Sequence, residues 1–343
     1  MKIKMNINYI LSLWRTIKIP GLAPVMRDWS SFLRLHFLYA ALESGLLHAL
    51  QNGADRQDLI QTLHVRHPEL LDALLDLGLA LGELSRSNLV FHLKGKRAKI
   101  LATPRGDALA ALIQGNVTYY NDAYRRLADR LRGAPLGDDL LEIGETVARF
   151  SKICEPILKN FIQSMAPSSG CFRLLDVGCG SGFVLETAGK INAGVSGIGI
   201  DSDDKVAEQA RRNLEQWGGT DRFTILTGDI RTDIPAGPDG FDLITAFNLI
   251  YYIPRDERPE FLGRLHSLLR QGGRLALANT FESKGTDAGA ANLNIVNCSL
   301  NNLVALPNLE DLKSQLSLGR FDRIKVTRFI PGREFYGITA QAA

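Results

Sequence analysis

The sequence predicts an α/β protein: a doubly wound, mostly parallel sheet that ends in an antiparallel hairpin, preceded by a mainly helical unit. Three observations carry this expectation. LLDVGCGSG at 174–182 reads as a buried strand that stops at alternating glycines. Strand-like runs then recur in order at 197–201, 223–230, 241–247 and 272–279, with room for a helix between most of them. Finally, 321–330 and 334–339 are strand-like runs joined by Pro331-Gly332, too short a link for a crossover and suited to a hairpin.

The glycine loop shows what the sheet is for. Phe172, Leu174, Leu175 and Val177 make the strand, and Gly178, Gly180 and Gly182 end it. Without a Cβ they permit positive φ and let a ligand lie against the backbone, while the helix starting near Phe183 points free N–H groups at that ligand. A dinucleotide fingerprint, G-x-G-x-x-G, would need glycine at 183, where Phe183 stands, so NAD is disfavoured. No Lys-Ser/Thr pair follows to grip a triphosphate.

On these residues and four later stretches in the same order, the sequence resembles the class I S-adenosylmethionine (SAM)-dependent methyltransferases. The stretches are GIGID at 197–201, FTILTGDI at 223–230, FDLITAFNLIYYIP at 241–254 and GGRLALAN at 272–279. The resemblance covers about 173–340 and implies a Rossmann-like sheet. It implies that Asp176, Gly178, Gly180 and Gly182 form the cofactor loop and that Asp201, with Ser202, binds the ribose hydroxyls. It also places Gly228, Asp229 and Ile230 beside the adenine and Asn248 under the methionine end. A single strand-terminal Asp is usually only a helix cap; four such pieces in register are far more specific.

Length and composition set the outer bounds. With 343 residues and 45% hydrophobic content the chain can bury a large core and make two domains, and a formal charge of +3 demands no polyanionic partner. Cys154, Cys171, Cys179 and Cys298 form no C-x-x-C pair, which suits a reducing cytoplasm. The first 27 residues carry Lys2, Lys4, Arg15, Lys18 and Arg27 and no acid, around an apolar patch at 7–14. That patch is too short to span a membrane and no cleavage site follows it. An arm packing on a partner subunit is expected in preference to a membrane-surface anchor. The expected division is an arm at 1–28, a winged-helix-like dimerisation domain at 29–112, a helical linker and pocket roof at 113–165, and a SAM-binding domain at 166–343.

Within 29–112, Phe32, Leu35, Leu38, Leu42, Leu46 and Leu50 make a helical stripe interrupted at Gly45. Asp55-x-x-Asp58 caps a short helix, and Pro68 opens another that runs to about Leu81. Residues 89–93 and 98–101 around Lys94-Gly95-Lys96 suggest a hairpin, giving a winged-helix order. The wing is basic, with Arg86, Lys94, Lys96, Arg97, Lys99 and Arg105, but the preceding helix carries Glu69, Asp72, Asp76 and Glu83, which would face phosphates. Nucleic acid is therefore not expected. The region resembles the N-terminal dimerisation domain of the small-molecule O-methyltransferases, which implies a homodimer.

By the same resemblance the helical stretch up to 165, broken near 133–137, roofs a substrate pocket. Tyr119, Tyr120, Asn121, Tyr124, Arg149 and Phe150 are candidates there, Tyr119 and Tyr120 foremost, although neighbours on an α-helix cannot both face one core. Beyond a polar loop at 280–291 comes an amide-rich run, in which Asn297 and Asn301 are candidate substrate ligands.

Methyl transfer from a sulfonium is one in-line displacement. It needs proximity, orientation and, for a protonated nucleophile, a base. The related plant-like O-methyltransferases use a His in a Leu-His-Asp-Trp segment. Aligned on Asp256-Glu257, this chain has Tyr252 at the His position, Ile253 at the Asp and Pro254 at the Trp. Tyrosine, with a reference pKa of about 10, is a poor base at neutral pH. Tyr252 and His266 are thus the catalytic candidates, Tyr252 as an orienting group. The six histidines show no metal-ligand spacing and no metal is expected. The expected activity is SAM-dependent methylation of a small, aromatic or polyketide-like acceptor, leaving S-adenosylhomocysteine (SAH). O-methylation leads, C- or N-methylation is the alternative, and a non-catalytic SAM-binding regulator is the rival from another class.

Overall fold

Residues 20–137, 140–233 and 240–342, with Asn8 and Ser12, are described by a computed structural model, so most of the basic arm lies outside the described residues. Two units divide the chain, Met1–Thr118 and Tyr119–Ala343, the break falling inside the helical stretch expected to link domains.

In the first unit the helix Leu22–Glu43 begins within the segment expected to be arm and ends before Gly45, whose φ of 75° starts the short helix Leu46–Ala49. Asp55 caps Arg56–Thr62 by accepting from the Asp58 N–H at 2.9 Å, and Pro68 opens Pro68–Ala80, both as the sequence suggests. Three short antiparallel strands, β1 (Ala54–Asp55), β2 (Leu84–Ser87) and β3 (Val90–Leu93), lie in the order β1-β3-β2.

The hairpin is therefore earlier than the sequence pattern implied. It turns at Asn88, whose φ is 54°, a left-handed conformation that Asn tolerates. Lys96–Leu101 is a helix, with Ala98 and Leu101 on its buried side. Glu83, 1% exposed, explains the switch: its carboxylate accepts from Arg97 at 3.0 Å and the Ala98 N–H at 3.4 Å and pairs with Arg34 at 3.2 Å. The basic residues read as a wing are thus spread over a strand, a turn and a helix, and one of them is spent on Glu83.

The second unit holds the main sheet: β4 (Phe172–Val177), β5 (Val195–Asp201), β6 (Phe223–Thr227), β7 (Phe241–Phe247), β8 (Leu269–Thr280), β9 (Phe321–Arg328) and β10 (Phe335–Ala342). Their order is β6-β5-β4-β7-β8-β10-β9, parallel from β6 to β8, with β10 antiparallel to both β8 and β9. Alternate side chains feed two cores. Leu174, Leu243 and Ala276 pack with the helices Glu155–Gln163, Phe183–Ile191 and Asp204–Gln216. Leu175, Ile244 and Leu275 pack with Arg258–Leu268 and Leu309–Leu318. Each fully buried Leu or Ile contributes about 1.5–3 kcal/mol, which is why these strands read as nearly continuous apolar runs. Strand order reverses at β4, and the crevice beyond its carboxyl end is the place such sheets offer a ligand.

Candidate active site

The loop after β4 is built for close approach. Gly178 has φ 68°, and a Cβ there would lie 2.9 Å from Leu249 Cδ1. Gly180, φ 54°, faces open space, with no atom within 4 Å of a Cβ placed on it. Gly182 is the N-cap of Phe183–Ile191. The Gly180 N–H donates to Asp201 Oδ2 at 2.9 Å, and the Asp203 N–H to Asp201 Oδ1 at 3.1 Å. Burial raises the Asp201 carboxyl above its usual range, while these backbone donors hold it down. Ser202, beside it, is exposed.

Asp176 lies deeper, 2% exposed at the end of β4. Thr245 of β7 donates to its Oδ1 at 2.6 Å, and its Oδ2 has no partner among the described residues. Burial pushes its pKa up to about 7, with the nearby Asp201 charge adding to the effect and the Thr245 bond opposing it. An orphaned carboxylate oxygen next to the glycine loop suits a ligand that brings a donor.

Gly228 links the third strand to the same place, its N–H donating to the Asp201 carbonyl at 2.9 Å. Asp229, expected beside an adenine, is engaged by Arg231, which donates from Nε at 3.0 and 3.1 Å and from Nη2 at 2.8 Å. That guanidinium holds the Asp229 carboxyl below its usual range, and an adenine amine would have to share it. Ile230 is 5% exposed and packs in the sheet core. Asn248, φ 52°, leaves β7 with its N–H on the Ala278 carbonyl at 2.7 Å and starts the turn that carries the tyrosines.

That turn, Ile250–Tyr252, brings Tyr251 and Tyr252 against Tyr119 and Tyr120, around Ala123, Val296, Leu300 and Leu303. Tyr119 and Tyr120 do share one apolar cluster, contrary to the helical expectation. A π-helical turn, Asn116–Tyr120, changes the angle between neighbours and sets their rings edge to face with centroids 5.4 Å apart. Burial pushes Tyr252 up to about 12, with Asp201 and Tyr120 adding to it, and pushes Tyr251 well above the ordinary tyrosine value. Neither is a base at neutral pH.

His266 is not brought to this place. It sits near the C-terminal end of Arg258–Leu268, edge-on to Phe321 at 5.3 Å, and Phe321 starts the edge strand β9, which β7, β8 and β10 separate from β4 and its glycine loop. Asn297, 1% exposed, donates to the Val304 carbonyl at 3.4 Å, and Asn301 donates to the Leu136 carbonyl at 3.5 Å. Both amides therefore hold loop backbone together in this structure.

Two residues of the site escape the sequence reading. Thr245 is, with Asp242, one of two polar residues in the otherwise apolar strand FDLITAF. Asn279 ends LALAN, is fully buried, and accepts the Ile250 N–H at 3.4 Å. A polar residue toward the carboxyl end of an apolar run is the signal in each case.

Residues 174–273 match the family model described as a methyltransferase domain. Among curated proteins, the demethylspheroidene O-methyltransferase of Cereibacter sphaeroides is 27% identical over 269 residues, which are 73% of this chain and 68% of that protein. Two further curated relatives are matched over only 40% and 48% of their own length. Among solved structures, the mitomycin 7-O-methyltransferase MmcR superposes with a TM-score of 0.76 at 16% identity, covering 98% of this chain and all of that one. PigF, solved with SAH, gives 0.78 at 17% identity, covering 93% and 99%. At these identities the structural likeness speaks for the fold.

Proposed function

We propose that the chain acts as a class I SAM-dependent methyltransferase and delivers the methyl group to oxygen on a small, apolar acceptor of aromatic or polyketide-like character. The observation that carries this is the tyrosine cluster: four phenol rings and a wall of Val296, Leu300 and Leu303, beside the loop that Asp201 and the glycines form. An acceptor seated against this cluster would be a flat or extended apolar body with few polar groups. The O-methyltransferase names of the relative and of MmcR agree with it.

When bound, SAM supplies an electrophilic methyl on a sulfonium. In this proposal Asp201 accepts from the ribose hydroxyls, Asp176 Oδ2 accepts a donor at the cleft floor, and Gly180 gives the nucleoside room. Tyr252 orients the acceptor by hydrogen bonding and excludes water. With both turn tyrosines held protonated, the acceptor's own acidity frees its nucleophilic oxygen, so phenols and enols are better acceptors than alkyl alcohols. The same protonated tyrosines favour a second reading, methylation of a carbon or nitrogen nucleophile that needs no strong base.

The first unit is read as a winged-helix-like dimerisation domain. On Leu22–Glu43, Val25, Met26, Trp29, Phe32 and Leu35 are exposed by 44–63%, an apolar face suited to a second copy of the chain. Free cysteines among the described residues accord with a cytoplasmic setting, and no described helix is long and apolar enough to cross a membrane. The test is transfer of label from methyl-tritiated SAM to a panel of phenols, enolisable diketones and amines. O-methyl products from the phenols or enols support the reading; label found on nitrogen or carbon alone, or on nothing, overturns it.

A further inference from the structure

A cavity of about 500 Å³ lies apart from the glycine loop, lined by Arg255, Arg258, Glu282, Leu306, Asn308 and Asp311 among others. Its unusual member is Arg258, an arginine only 2% exposed. Buried arginines are nearly always paired, because an uncompensated charge out of water costs several kcal/mol. Arg258 makes no ion pair among the described residues; its Nε donates to the Ile253 carbonyl at 3.0 Å.

The two acids nearby are already engaged. Asp311 takes both forks of Arg255, at 2.8 and 2.9 Å, and the Gln315 amide at 3.3 Å. Glu282 accepts from the Asn308 side chain. Burial lowers the Arg258 guanidinium from arginine's usual value, as expected of a cation short of a counter-charge, although Asp311 acts in the other direction.

We propose that this cavity is an anion site in which Arg258 receives the carboxylate or phosphate of a small metabolite. Arg258 is suited to it: a planar fork held by its Nε leaves the terminal nitrogens for two parallel bonds to one oxyanion. Leu306 and Pro307 give the rest of the metabolite an apolar wall, and Glu282 limits how much negative charge the site accepts. The site also borders the tyrosine turn on two sides, since Arg258 holds the Ile253 carbonyl and the Val304 N–H donates to the Tyr251 carbonyl at 2.9 Å.

The experiment is titration of the full chain, saturated with SAH to keep probes out of the nucleotide cleft, with inorganic phosphate in one arm and succinate in the other. Binding is followed by calorimetry and by thermal shift. Millimolar binding of at least one probe is expected, weakened at least about tenfold in Arg258→Met, as for loss of bonds to a charged group, and less in Arg258→Lys. Glu282→Gln, which keeps the oxygen that Asn308 uses, should tighten binding, and it carries the test if Arg258→Met fails to fold. The phosphate and succinate arms tell which oxyanion the site takes. No binding of either probe by the wild type, or equal binding in wild type, Arg258→Lys and Glu282→Gln, overturns the proposal.

Discussion

The backbone N–H of Gly180 donates to the Asp201 carboxylate across 2.9 Å, so the glycine loop and the acid that ends the next strand form one unit. Asp201 is held in place from both of its oxygens by main-chain donors, and neither bond depends on a mobile side chain.

The two glycines of this loop should fail differently. In Gly178→Ala the new methyl meets Leu249 at 2.9 Å in a left-handed backbone, so stability falls by about 1–2 kcal/mol from conformation alone, with the packing cost added. In Gly180→Ala the methyl enters open space where the cofactor is proposed to lie. Urea unfolding should show only the conformational cost, about 1–2 kcal/mol, while SAH affinity is largely lost. Equal SAH affinity in Gly180→Ala and wild type would contradict this placement.

Tyr252→Phe should keep a substantial kcat and leave the pH profile of kcat unchanged through the neutral range, because the phenol is pushed up to about 12 and stays protonated. KM for the acceptor should rise. Loss of a basic limb in the pH profile of the variant would instead make Tyr252 an acid-base group. His266→Ala, with its ring packed on Phe321 far from the glycine loop, should leave kcat alone and alter only stability.

Asp176 should make the protein less stable as pH rises. Its folded pKa of about 7 exceeds the unfolded value of about 3.9, so the native state binds more protons between the two. Stability from this group is full below about pH 4, falls through the interval, and levels off above about pH 7. The whole change has a ceiling of roughly 4 kcal/mol, set by the gap between the folded and unfolded pKa values. Urea midpoints of wild type and Asp176→Asn measured at acid and alkaline pH check it. The variant should lose that part of the slope; parallel curves would show that Asp176 is not the group.

Much of the sheet was legible because each strand is an apolar run ended by a residue with a job: glycine at 178, Asp201, the Gly228-Asp229 pair. The hairpin in the first unit was not. Nothing in LKGKRAKI indicates that the Glu83 carboxylate, more than ten residues back, will cap and pair the start of a helix there. The tyrosine cluster was half legible. Tyr119 and Tyr120 stand out as aromatics, but a π-helical turn has no periodic signature, so the rule that neighbours diverge misleads. Asn297 and Asn301 attract notice for their donors and acceptors, and composition cannot show that loop backbone already uses them.

The most direct test of the cofactor cleft is calorimetric titration of SAH into wild type and Asp201→Ala. Wild type should bind one equivalent, and the variant should bind more weakly by about 1.5–3 kcal/mol, roughly 10- to 150-fold, as for hydrogen bonds to a charged group. A folded wild type that gives no binding heat, or a variant that binds as tightly, would contradict the assignment of this cleft.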